Sequence, residues 1–227
     1  MPRKVSFLHV ALLTLLMAAG ACTPARNDMN TPTVGDASAR ASDAAEIEAP
    51  RRKLNPGPKR AYTITLTIND APGPFGSVEG VAQYDVENYL ECGKINPHTG
   101  VAYRMPSMEA FKLQKVSDRE YQGTIHTDLI QDEDYYGRGV CRWKLTAVEV
   151  QLKATGAPAE TRFLPDMKDE QVLAQESVTK YFWKARYPRS KTDNFPSFGE
   201  IDRRKFSSEI TDGALFTISL SATEARP

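Results

Sequence analysis

Residues 132 to 143, DEDYYGRGVCRW, gather three acids, two tyrosines, two arginines, a cysteine and a tryptophan, and Asp128 adds a fourth carboxylate nearby. Calcium is the first chemistry this suggests, because hard cations need several converging carboxylate oxygens. Asp132, Asp134 and Gly137 match the first, third and sixth places of a calcium loop. Tyr136 then stands in the fifth place and Trp143 in the twelfth, where a bidentate Glu is required. Two carboxylates could also act on a glycosidic bond, although adjacent acids in one loop read more simply as a solvated cluster. A third use is recognition: Tyr135 and Tyr136 enter an apolar groove of a partner, while Asp132, Glu133 and Asp134 face cations at its rim and Arg138 assists. The fourth is structural, with the tyrosines forming the corner of a β-sandwich.

Other catalytic constellations lack their residues. Of three histidines, His9 lies in an N-terminal apolar run, and His98 and His126 have no neighbouring Cys or His to complete a metal site. The chain holds no G-x-S-x-G elbow, phosphate-cradling glycine loop or H-E-x-x-H. It therefore reads as a non-enzyme without metal or cofactor. A second stretch, YFWKARYPR at 181–189, mixes four aromatics with three cations, the composition of protein-interface hot spots. One reading buries Trp183, with Tyr181 and Tyr187 on its side of a strand and Phe182 on the other. The alternative gives Tyr187 and Arg189 to a partner.

The elements that must position these residues begin after an export signal. Arg3 and Lys4 precede an apolar run from Val5 to Ala19, which ends in Ala19-Gly20-Ala21-Cys22. This is the n-region, h-region and small-residue cleavage site of a signal peptide over residues 1–21, too short to span a bilayer as a helix. The small residues before Cys22 resemble the lipobox of bacterial lipoproteins, with Ala19 where Leu is usual. That resemblance implies a lipid on Cys22 and, with Thr23 rather than Asp following, an outer-membrane location facing the periplasm. Ordinary cleavage leaving Cys22 as a free thiol is the competing reading. Removing the signal leaves 27 basic against 29 acidic side chains, a balance that makes no case for nucleic acid. Cys92 and Cys141 remain and are expected to form a disulfide in an oxidising compartment. Closing that loop is worth about 4 kcal/mol of chain entropy.

Residues 22–60 are rich in Pro, Ala, Asp, Ser and Thr and poor in large apolar side chains, so they read as a disordered tether. Such a segment reaches roughly 30–37 Å. Residues 61–227 fit one domain. Tyr62, Ile64, Leu66 and Ile68 alternate with threonines, a half-buried strand pattern. A second strand follows with Val78, Val81 and Val86 as core contributors. Phe111 and Leu113 before Ser117-Asp118, and Tyr121, Gly123 and Ile125 after it, predict a hairpin. From Val140 to Leu152 the apolar phase changes: Cys141, Trp143 and Leu145 share one parity and Val148, Val150 and Leu152 the other. A β-bulge near Thr146-Ala147 restores one inward face. ETRFLP suggests a short strand, PDMKDEQVLAQ a helical turn, and Phe216, Ile218 and Leu220 a last inward face. The fold class is all-β, an antiparallel β-sandwich of immunoglobulin-like architecture with short helical turns.

DAPGPFGSVEGVAQYDVENYLEC, DEDYYGRGVCRWKLTAVEVQLKA and YFWKARYP together resemble small bacterial lipoproteins found beside type VI secretion phospholipase effectors of the Tle class. The likeness spans roughly residues 61 to 188 and is strongest at Asp132 to Trp143. It implies an immunity protein, held in the periplasm by its anchor, that binds an incoming lipase and neutralises it. The bottom-up features also suit a structural or assembly lipoprotein of the envelope, or a small-ligand or calcium-binding module.

Overall fold

Alternating apolar side chains bury one face of each strand, and two such faces pack together as a β-sandwich. The computed structural model describes residues 50–225, within the unit Glu48–Pro227. In chain order the strands are β1 (Ala61–Asn69), β2 (Ser77–Val86), β3 (Pro106–Phe111), β4 (Leu113–Ser117), β5 (Glu120–His126) and β6 (Trp143–Lys153). They continue with β7 (Arg162–Phe163), β8 (Asp166–Lys168), β9 (Ser177–Trp183), β10 (Pro196–Ser197) and β11 (Leu215–Glu224). Two short helices, α1 (Tyr89–Cys92) and α2 (Asp169–Leu173), lie between them. One sheet runs β4-β5-β1-β11-β9 and the other β10-β7-β6-β2-β3, with β8 also paired to β6. All pairings are antiparallel except β10 with β7.

Tyr62, Ile64, Leu66 and Ile68 of β1 are buried as their period requires, beside Ile218 and Leu220 of β11. The opposite face of this sheet carries Thr63, Thr65 and Thr67 beside Thr223, Ser221 and Ser219. Phe75, Phe163, Phe182 and Phe216 fill one end of the core, with centroids of 5.3 to 6.3 Å between contacting rings. Several of these pairs meet edge to face, the geometry the ring quadrupole favours.

The bulge falls where the phase change predicts it. Tyr84 pairs with Leu145 and Gln83 with Ala147, so Thr146 has no partner in β2. Cys141, Trp143, Leu145, Val148, Val150 and Leu152 are consequently all buried.

Four readings change. Val81 is not a core residue, because β2 turns Gly80, Ala82, Tyr84 and Val86 inward and Val81 the other way. The Tyr84 hydroxyl sets that parity by donating to the His126 carbonyl at 2.5 Å. Trp183 is only half-buried: β9 faces the core with Val178, Lys180 and Phe182, and Lys180 reaches Asp166 at the sandwich edge. Residues 50–60 are not tether. Leu54 bridges to Ile130, Asn55 N–H donates to the Leu129 carbonyl at 2.7 Å, and Gln131 N–H donates to the Lys53 carbonyl at 2.9 Å. The rest of the tether reading, residues 22–49 with Cys22 among them, and the signal lie outside the described residues.

Phe111 does not belong to the β4–β5 hairpin. It ends β3 in one sheet, and after Lys112 the chain enters β4 in the other, closing one side of the sandwich. The crossing is tight because the Phe111 ring lies over two glycines, one from each sheet. A Cβ on Gly80 would meet that ring at 2.5 Å, and one on Gly123 would meet the Lys112 carbonyl at 2.5 Å and the ring at 2.9 Å. Backbone cannot retreat as a flexible side chain can. Gly123→Ala is therefore expected to destabilise the domain by about 1–3 kcal/mol, seen as a melting temperature lower by roughly 2–4 °C per kcal/mol. An unchanged melt would show that the crossing has slack.

Candidate functional site

The DEDYYGRGVCRW stretch forms a turn at the end of the sandwich where β1 begins. Its polar groups are engaged by the fold. Asp132 Oδ1 accepts from Trp143 N–H at 2.8 Å, and Asp134 Oδ1 accepts from Arg138 N–H at 3.0 Å. Asp128 accepts from the Lys59 and Arg60 N–H groups at 2.9 and 3.1 Å. Glu133 makes only an exposed 3.7 Å pair with Lys53, a contact worth little. Each carboxylate is thus turned to a different partner, and among the described residues no three His, Cys, Asp or Glu side chains converge on one point.

The tyrosines hold the N-terminal strap. Tyr135 hydroxyl donates to the Gln131 carbonyl at 2.6 Å and accepts from Lys53 N–H at 3.2 Å. Tyr136 hydroxyl accepts from Arg51 N–H at 2.9 Å, and the Arg51 guanidinium lies over its ring. Both rings are half-buried against the core. Their placement is that of the sandwich corner, with Glu133, Asp134, Gly137 and Arg138 exposed beside them.

Cys92 and Cys141 form the disulfide, with Cα atoms 5.3 Å apart, within the usual range for a bridge. Around it stands a lobe built from α1, the following hairpin turn and residues 137–142. Asn88 staples the lobe from both ends of its amide: Nδ2 donates to the Val140 carbonyl and Oδ1 accepts from Arg142 N–H, each at 2.9 Å. Arg138 donates to the carbonyls of Gly93 and Leu90. Ile95 bridges to Ala102, and Asn96 N–H donates to the Val101 carbonyl at 2.9 Å. This fixed frame leaves Leu90, Val101 and Val140 more than half exposed, with Ile95 at 37 %. Four aliphatic side chains are thus held outward on a cross-linked support. Neither Asn88 nor the aliphatic set was legible as a site. The staple spans 52 positions, and the four apolar residues sit in segments without strand period.

The second predicted stretch lies elsewhere, at the far end of β9. Tyr187 packs against Phe75 and Phe163, and its hydroxyl donates to the Pro74 carbonyl at 2.5 Å. Burial, followed by the nearby Glu160 charge, raises its pKa. Arg189 is exposed and paired with Asp193 at 2.9 Å. The structure therefore does not unite Tyr187 and Arg189 with the turn at 132–138. Comparison with protein-family models, curated proteins and solved structures finds no match.

Asp128 couples the strap to pH. Burial would raise its pKa, but the backbone donors of Lys59 and Arg60 hold it below the ordinary aspartate value. A depressed folded pKa contributes stability that is present above the unfolded value near 3.9 and is lost as pH falls through the folded one. Asp128→Asn is expected to speed tryptic cleavage at Arg51, Arg52 and Lys53 at neutral pH, and acidification of the wild type below about pH 4 should shift the Lys59 and Arg60 amide proton resonances as the carboxylate is lost. Equal cleavage of both proteins, or amide resonances that do not move with acid, would remove Asp128 from this role.

Proposed function

We propose that this chain is a lipid-anchored protein of the bacterial envelope that binds and neutralises a phospholipase effector of type VI secretion. The motif resemblance supports the class, and the aliphatic lobe is the observation that carries the binding role. Leu90, Ile95, Val101 and Val140 stay exposed although the backbone beneath them is fixed by a disulfide and by the Asn88 and Arg138 hydrogen bonds. A preorganised surface loses little entropy on association, which suits an inhibitor. In this reading the lobe enters an apolar groove of the lipase, and the exposed acids of the 132–138 turn, Glu133 and Asp134, flank the contact. Cys22 carries the lipid, and the domain faces the periplasm.

Co-expression should rescue cells from the toxicity of a periplasm-directed type VI secretion phospholipase of the Tle class. The triple variant Leu90→Ser, Val101→Ser, Val140→Ser should lose that protection while its melting temperature stays within a few degrees, since surface changes usually cost under about 0.5 kcal/mol each. Failure of the wild type to protect would sink the reading, and full protection by the variant would remove the lobe from it. Cys22→Ala is expected to move the protein from the membrane to the soluble periplasmic fraction, checked by fractionation and by loss of radiolabelled palmitate; persistence in the membrane fraction would exclude Cys22 as the anchor.

A further inference from the structure

A different feature lies on the opposite side of the sandwich from the β3–β4 crossing. There the chain from Pro196 to Glu200 passes from the edge of one sheet to the edge of the other. Leu164 N–H donates to the Ser197 carbonyl at 2.8 Å, and Glu200 exchanges backbone hydrogen bonds with Tyr181 at 2.8 and 3.0 Å. Gly199 makes the passage with φ +69°, and a Cβ there would strike the Phe182 ring at 2.6 Å. Between this segment and residues 205–206 lies a cleft of about 250 Å³, lined by Arg186, Ser197, Phe198, Glu200, Lys205 and Phe206 among others.

Arg186 is the unusual member. Its guanidinium carbon lies 4.8 Å from the Phe195 ring centroid and 5.9 Å from that of Trp183, so both rings help fix its plane. Its one side-chain hydrogen bond is a long one, 3.4 Å from Nη1 to Ser197 Oγ, and it has no ion pair among the described residues. Stacked on two rings with one long hydrogen bond, the guanidinium keeps most of its five donors for an acceptor. Of the other cations nearby, Arg203 pairs with Asp212, Arg204 with Asp202, and Lys184 donates to the Gly213 carbonyl, which leaves Lys205 beside Arg186 in the cleft. Beside the cleft, Phe198 and Ile201 are 55 % and 67 % exposed.

We propose that this cleft binds an acidic side chain of a protein partner, with Arg186 holding the carboxylate and Phe198 and Ile201 covering the apolar residue next to it. Net charge decides for a carboxylate over a phosphate monoester. Arg186 and Lys205 against Glu200 leave one positive charge in the cleft, which a single carboxylate neutralises and a dianionic phosphate would overshoot. A cleft of about 250 Å³ with Phe198 and Ile201 exposed beside it suits one acidic side chain and its apolar neighbour, and the glycerol 3-phosphate probe tests a lipid headgroup instead. The site is independent of the aliphatic lobe, so either can fail without the other.

The test uses the full chain with nitrogen-labelled arginine, following the Arg186 Nε–H resonance. The probes are the peptide acetyl-Phe-Glu-Leu-amide, its Gln counterpart and glycerol 3-phosphate. Saturable shifts with the Glu peptide, and binding about tenfold weaker for the Gln peptide, are expected because the ionised acceptor roughly doubles hydrogen-bond strength. Arg186→Lys should abolish the preference by removing the planar fork. Phe198→Ala, at an exposed position that the fold does not require, should weaken the Glu peptide several-fold with an unchanged melt. Equal affinity for both peptides, stronger shifts with glycerol 3-phosphate, or Phe198→Ala binding like the wild type would each overturn the proposal.

Discussion

Thr146 is the residue on which the arrangement of the longest strand depends. A strand alternates its side chains with period two, and a slip of one residue reverses every face. Without the unpaired Thr146, β6 would have to expose either Cys141, Trp143 and Leu145 or Val148, Val150 and Leu152. Exposing three aliphatic side chains forfeits several kcal/mol, at roughly 1.5–3 kcal/mol each, far more than one missing ladder pair costs. The bulge is also satisfied locally, because Thr146 Oγ1 hydrogen-bonds Asp85 Oδ2 at 2.7 Å. The disulfide inherits its place from this correction: Cys141 can meet Cys92 only because the first half of the strand region faces inward too.

A sandwich also has to manage four edge strands, since unpaired edges invite association with other chains. This one treats its two sides alike. On one side the chain crosses at Lys112 between β3 and β4, with Phe111 laid over Gly80 and Gly123. On the other it crosses between β10 and the Tyr181–Glu200 bridge, with Gly199 against Phe182. In both places a glycine lets backbone approach an aromatic ring that caps the core. The edges are therefore joined across the sandwich, and the exposed side chains at the second crossing rest on a fixed backbone.

Legibility in the sequence followed the range of the determining interaction. The parity of β1 and β11, the bulge and the cysteine pair could be read because period two and thiol count are local or compositional signals. Val81 misled because the inward face of β2 is made of Gly80 and Ala82, whose small side chains carry little hydrophobic signal, and is fixed by Tyr84 reaching His126. Lys180 hid the parity of β9 in the same way: its stem lies in the core face while its ammonium finds Asp166 at the edge. The strap at 50–60 looked like tether because its order comes from hydrogen bonds to residues about 70 to 85 positions away, not from apolar side chains of its own. Asn88 and Arg138 were invisible as staples for the same reason.

These long-range bonds also explain why acids and tyrosines in one loop need not form an active centre. In DEDYYGRGVCRW the carboxylates of Asp132 and Asp134 cap backbone N–H groups, the tyrosine hydroxyls bind the strap, and the arginine clamps carbonyls across the disulfide. A group engaged in this way is held in place and has less capacity left for a ligand, and a charge-assisted bond resists breaking more than a neutral one. Two of the surfaces left without internal partners among the described residues are of another kind: aliphatic side chains on the stapled lobe, and one guanidinium whose plane is held but whose donors are mostly unused. Unspent binding capacity on a rigid support lies at those two places, and the richest sequence motif supplies the rigidity for one of them.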